Sequence, residues 1–192
     1  ASVFLSTGGS LDLTDATSTF KFEISGKDGS REFTFASGAS PADIETSINT
    51  FKSVTGVSAS VSAGGLVLKS TGYGENEFVS VKVINDGGLN GNIYQMETDN
   101  ENDAAASGTT IASAASGGAI RDEGQDVGGF INGVTGVGAG RNLSIATDFL
   151  DVKLELGDDA IDGTTKSFNA FTINGGGARF NLGANADINN QV

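Results

Sequence analysis

The 192 residues carry 24 acidic against 11 basic side chains, a formal net charge of −13, with 38% hydrophobic residues, 29 glycines, one proline and no cysteine, histidine or tryptophan. The hydrophobic share suffices for one ordinary core or two small ones, while the missing Cys and His exclude disulfides, thiolate or imidazole metal sites, and the commonest catalytic base and nucleophile. The acidic excess repels phosphate, so neither nucleic acid nor an anionic membrane is expected as a partner, and the glycines follow no G-x-y period, which excludes collagen.

No run of 18 apolar residues exists, and the start ASVFLSTGGS lacks the charged and apolar regions of a secretory signal. A trimmed fragment and export without a cleaved signal both fit this start.

The first alternation of apolar and polar residues is Phe20-Lys21-Phe22-Glu23-Ile24. It is answered by Glu32-Phe33-Thr34-Phe35 across the turn residues Gly26-Lys27-Asp28-Gly29, and this predicts a hairpin. Ser40-Pro41-Ala42-Asp43 reads as a helix start, with Ser as N-cap, Pro where its missing N–H is harmless, and an acid in the first turn. Ile44, Ile48 and Phe51 follow at helical spacing, predicting a helix over about residues 41–54 that Gly56 ends. Strands are predicted at residues 57–61, 66–69 and 78–83, parted by Gly64-Gly65 and Gly72-Tyr73-Gly74.

Beyond Asp86 the pattern dissolves into Gly, Asn, Asp, Ser and Ala, and residues 97–118 read as a loop or linker. Strands resume at Leu143-Ser144-Ile145 and over residues 150–156, the cleanest alternation in the chain, which predicts one wet and one buried face. The expected fold is mainly β with a minor helix (α+β), in two small β-rich lobes. Residues 1–96 form the first lobe, 97–118 the linker and 119–192 the second.

Few residues invite a chemical reading. Gly136-Val137-Gly138-Ala139-Gly140 has the glycines of a phosphate loop, but such a loop opens a helix and the following residues 141–145 read as a strand, so a tight turn is expected. Gly175-Gly176-Gly177 lacks the tandem nonapeptide array of glycine-rich calcium repeats and reads as a hairpin turn or bulge. Asp158, Asp159 and Asp162 do not have EF-hand spacing. Asn142-Leu143-Ser144 matches the minimal glycosylation acceptor, but its place inside a predicted strand weighs against it. No catalytic residue, metal site or cofactor is expected, and the chain is read as not an enzyme.

The ordered series of short motifs is more specific than any one of them. Ile24-Ser25-Gly26, the helix over 40–51, Thr55-Gly56-Val57-Ser58-Ala59, Leu68-Lys69-Ser70 and the return from Gly72-Tyr73-Gly74 to Phe78-Val79-Ser80-Val81 resemble the module that recurs in flagellins and hook-associated proteins. Asp126-Val127, Ile131-Asn132-Gly133, Gly138, Leu143-Ser144 and the stretch 175–183 are similar to the segment that follows this module in many flagellins. The resemblance implies a structural protein, the outward-facing domain of a bacterial flagellin, extracellular on the flagellar filament. Its implied partners are other flagellin subunits, with surface glycans as a further possibility. Flagellins polymerise through long terminal helices with heptad-like apolar spacing, and no such helix is legible here, so the isolated chain is expected to be monomeric. A filament cap, a hook-associated protein or an extracellular adhesion module is the alternative, and a calcium-dependent binder or enzyme stands behind both.

Overall fold

The computed structural model describes residues 1–6, 13, 16–62, 65–96, 109–148, 150–157, 167 and 169. Period-two apolar patterning and glycine-rich turns dominate these residues, and they fold as antiparallel β-structure with three short helices.

The hairpin predicted from the first alternation is present as β1 to β3 are traced: after β1 (Ser2–Ser6), β2 (Phe20–Gly26) pairs with β3 (Gly29–Phe35) from Phe20↔Phe35 to Gly26↔Gly29. Phe20, Phe22 and Ile24 project to one side and are completely buried, as period-two geometry requires. β6 (Phe78–Asn85) pairs with the other edge of β2, with a bulge between Lys21 and Phe22. β9 (Ile120–Glu123) extends that sheet, giving the order β3-β2-β6-β9. A second sheet has the order β4-β5-β1-β7-β8, in which β4 is Val57–Ser62, β5 Gly65–Ser70, β7 Asn92–Gln95 and β8 Thr109–Thr110.

One core lies between the sheets. It joins Phe20, Phe22, Ile24, Val79, Val81 and Val83 of the four-stranded sheet to Val3, Leu5, Leu66, Leu68 and Ile93 of the five-stranded one. Phe22, Phe33 and Phe35 form a contiguous aromatic patch, with centroids 5.9 Å apart for Phe22 with either partner and 6.4 Å between Phe33 and Phe35. The N–H of Ser2 donates to Asp122 Oδ2 at 2.7 Å, tying β1 of one sheet to β9 of the other.

The predicted helix is present but divided. α1 (Pro41–Thr50) and α2 (Lys52–Thr55) are separated at Phe51, and Gly56 ends the pair in the left-handed region at φ 72°. Ser40 caps α1 as expected, its Oγ accepting from the Asp43 N–H at 3.2 Å while its own N–H donates to Asp43 Oδ2 at 3.1 Å. These Ser40 donors hold the Asp43 carboxyl below its usual range, the side-chain hydrogen bond first and the backbone one second. Ile44 and Ile48 are fully buried beneath the helix and Phe51 is half-buried against the same core. Asn49 fastens the helix to β4, with Nδ2 donating to the Ala59 carbonyl and Oδ1 accepting from the Ala59 N–H, both at 2.9 Å.

The stretch read as a linker departs from expectation where it is described. Residues 97–108 lie outside the described residues, but β8 and α3 (Ile111–Ser116) pack on the main core with Ile111 and Ala114 buried. An Ala- and Ser-rich helix with one large apolar residue has no visible stripe, yet its small side chains let it lie close on β6. The strand β9 likewise joins the first lobe, from Phe78↔Glu123 to Val81↔Ile120, although three of its four residues are charged. Charge is normal on an edge strand, where it discourages further pairing. Residues 109–123 therefore pack with the first lobe, beyond its expected end at residue 96.

After residue 123 come the two-residue strands β10 (Phe130–Ile131) and β11 (Val134–Thr135), then a meander of β12 (Val137–Ala139), β13 (Asn142–Ala146) and β14 (Asp151–Glu155). Their core is small, consisting of Ile131, Leu143 and Ile145 with Val127, Leu150 and Leu154 half-buried around it. The alternation over 150–156 gives β14 as predicted, though its inner residues Val152 and Leu154 are half-buried rather than enclosed.

Replacing Ile44 or Ile48 by Ala removes a completely enclosed side chain and should destabilise the protein by about 2–5 kcal/mol. Chemical denaturation measures this, and a loss near the few tenths typical of surface positions would place the helix elsewhere.

Candidate functional site

The described residues gather their densest polar chemistry where the first lobe meets the meander. Three segments converge there: the loop between β5 and β6, the segment after β9, and the β12–β13 turn. The loop folds on itself through the Glu77 N–H and the Gly74 carbonyl at 3.0 Å, and Gly124 N–H then donates to the Glu77 carbonyl at 2.7 Å. Asp126 Oδ1 accepts from the backbone N–H of Glu75 at 3.1 Å and of Gly140 at 2.7 Å. Val127 N–H returns a bond to the Gly140 carbonyl at 3.0 Å. One carboxylate oxygen thus joins both lobes.

Glycine is required at this crossing. A Cβ at Gly74, where φ is 116°, would stand 2.6 Å from Asp126 Oδ1 and 3.0 Å from the Gly140 Cα, while one on Gly138 would strike the Val127 carbonyl. The side chains around the crossing are also held. Lys27 Nζ donates to Glu77 Oε1 at 2.8 Å, with the Glu77 side chain 8% exposed and that of Lys27 53%. That hydrogen bond, reinforced by the charge of Glu77, holds the Lys27 ammonium above the usual lysine range. The Arg141 guanidinium lies 4.9 Å from the centroid of the Tyr73 ring, and its Nε donates to the Leu156 carbonyl at 2.8 Å.

The residues weighed from sequence fall as follows. Gly136-to-Gly140 is no phosphate loop: Val137–Ala139 is strand, and the turn is confined to Gly140 and Arg141, with Gly140 at φ 61°. Asn142 and Ser144 lie on β13, with Leu143 between them buried. Gly175-Gly176-Gly177, Asp158, Asp159 and Asp162 lie outside the described residues. Asp126 and the glycines around it were legible only as parts of a motif series, because their role depends on partners more than ten residues away.

Residues 19–72 match the family model of the flagellin hook IN motif. The chain carries a flagellin-type module. The match spans β2, β3, α1, α2, β4 and β5 and stops at Gly72, short of β6, which the resemblance includes through Phe78-Val79-Ser80-Val81. No curated protein and no solved structure matches the chain. Among the described residues no helix is long and apolar enough to cross a membrane.

Two outcomes test the junction of this IN-motif chain. Asp126→Ala should destabilise the protein by about 1–2 kcal/mol, since it strands two N–H donors of a half-exposed bond to a charged group. Hydrogen exchange at the Gly140 amide should quicken, while the amides of β2 and β6 keep their protection and Asp126→Asn, which retains Oδ1, loses less. The Lys27–Glu77 pair is tested through pH. Because the folded pKa of Lys27 is raised, its contribution is complete below the unfolded lysine value of about 10.4 and is lost as pH rises through the folded value. The stability difference between the parent and Glu77→Gln should accordingly narrow above about pH 10.4 in denaturation experiments.

Proposed function

We propose that this chain is the outward-facing part of a flagellin subunit, a structural and non-catalytic element of the bacterial flagellar filament outside the cell. The observation that carries the reading is the flagellin hook IN motif over residues 19–72, folded as a β-hairpin, helix and β-hairpin around a shared core. Flagellin subunits bundle through long apolar-striped helices, whereas the longest helix among the described residues, α1, has 10 residues. A β-rich body without such a helix suits the surface of a filament rather than its packed interior. The charge of −13 would keep neighbouring bodies apart on a crowded surface, weakly so in salt, since screening acts within about 8 Å at physiological ionic strength.

A hook-associated or cap protein is the second reading, favoured by the name of the matched motif, which refers to the hook. Antibodies raised against the chain and visualised with gold on intact flagellated cells separate the two. Labelling along the whole filament is the expected outcome. Labelling confined to the hook or the tip would transfer the assignment to the second reading, and labelling of the cell body alone would refute both.

A further inference from the structure

The crossing of the two lobes encloses a groove of about 370 Å³ that the filament reading leaves unused. Its walls come from both sides: Lys27, Tyr73 and Asn76 from the first lobe, and Arg141, Asn142 and Glu155 from the meander. Gly74 and Gly140 form part of its lining, so backbone rather than side chain is presented there. The size lies within the range of sites for small organic ligands.

Charge decides what kind of ligand fits. The groove holds two cations, Lys27 and Arg141, against two anions, Asp126 and Glu155; Glu77 answers Lys27 at 2.8 Å and two backbone N–H groups answer Asp126, which leaves the Arg141 guanidinium set against the Glu155 carboxylate. Neither a phosphate nor a cation finds a surplus of opposite charge. What remains is a set of planar polar groups, two amides, two carboxylates and a guanidinium, whose remaining donors and acceptors suit hydroxyls, beside the Tyr73 ring at 54% exposure. A ring that carries hydroxyls on its rim and C–H groups on its faces matches both features.

Three of the lining side chains are fixed before any ligand arrives: Asp126 by two N–H groups, Lys27 by Glu77, and Arg141 by the Leu156 carbonyl and the Tyr73 ring. These three have little side-chain entropy left to lose on binding.

We propose that the groove between Tyr73, Asn76, Arg141 and Asn142 binds a neutral saccharide, one or two sugar rings in extent. The inference is independent of the filament reading, since it rests on the groove alone. A small, open and polar site of this kind binds at millimolar strength.

Two-dimensional amide NMR of the 192-residue chain tests it, with D-glucose, D-galactose and N-acetyl-D-glucosamine as probes, each also as its methyl glycoside. At least one probe should give saturable shifts at the amides of Gly74, Asn76, Gly140 and Asn142. Tyr73→Ala and Asn142→Ala should each weaken that binding roughly ten-fold, with the amides of β1 and β4 reporting an unchanged fold. The methyl glycosides separate two sources. Binding they retain assigns the groove to a chain-linked glycan, and binding only by the reducing sugar assigns it to free sugar. Absence of saturable shifts with every probe, undiminished affinity in both variants, or a stronger response at the same amides to sulfate would overturn the proposal.

Discussion

The inner face of β2 is the constraint on which the rest of this protein depends. With no cysteine to cross-link the chain, the fold must be held by packing, and Phe20, Phe22 and Ile24 supply its centre. β2 is hydrogen-bonded on both edges, to β3 and to β6, so a slip of one residue in either register would turn all three side chains toward solvent. β9 is positioned by β6, and the helices α1 and α3 close the core around the same strands. Net stabilities of domains are small, about 5–15 kcal/mol, so each enclosed phenylalanine carries a substantial share.

A second constraint acts where the lobes meet, and it is the absence of side chains. Gly124, Gly138 and Gly140 each lie against a backbone atom of another segment too closely for a Cβ, and Gly74 lies as closely against Asp126 Oδ1. Their close approach lets Asp126 reach two N–H groups at once and brings Tyr73 within range of Arg141. The meander itself has a thin core, and Phe130 and Val137 are 74% and 71% exposed on it. Its attachment to the first lobe therefore leans on hydrogen bonds and glycine contacts more than on apolar burial.

The local elements whose signals lie within a few residues are legible in the amino-acid order alone. The hairpin of β2 and β3, the Ser40 cap, Pro41, the Ile44 and Ile48 stripe, the Gly56 stop, and the strands β4, β5, β6, β13 and β14 were all readable, because alternation and capping are short-range. The same series carried the likeness to the flagellin module, which residues 19–72 bear out. What joins what is set by contacts that exist only in the folded chain. β1 gave no alternation because its two faces are both covered, with Val3 and Leu5 in the main core and Phe4 in a second cluster with Val67 and Met96. α3 looked like linker and β9 like the opening of the second lobe because each has a single large apolar residue, and they are held by neighbours distant in sequence. The groove and Asp126 belong to the same class. A carboxylate that binds two backbone N–H groups, one of them 51 residues away, has no local signature, since hydrogen-bond geometry exists only once the chain has folded back upon itself.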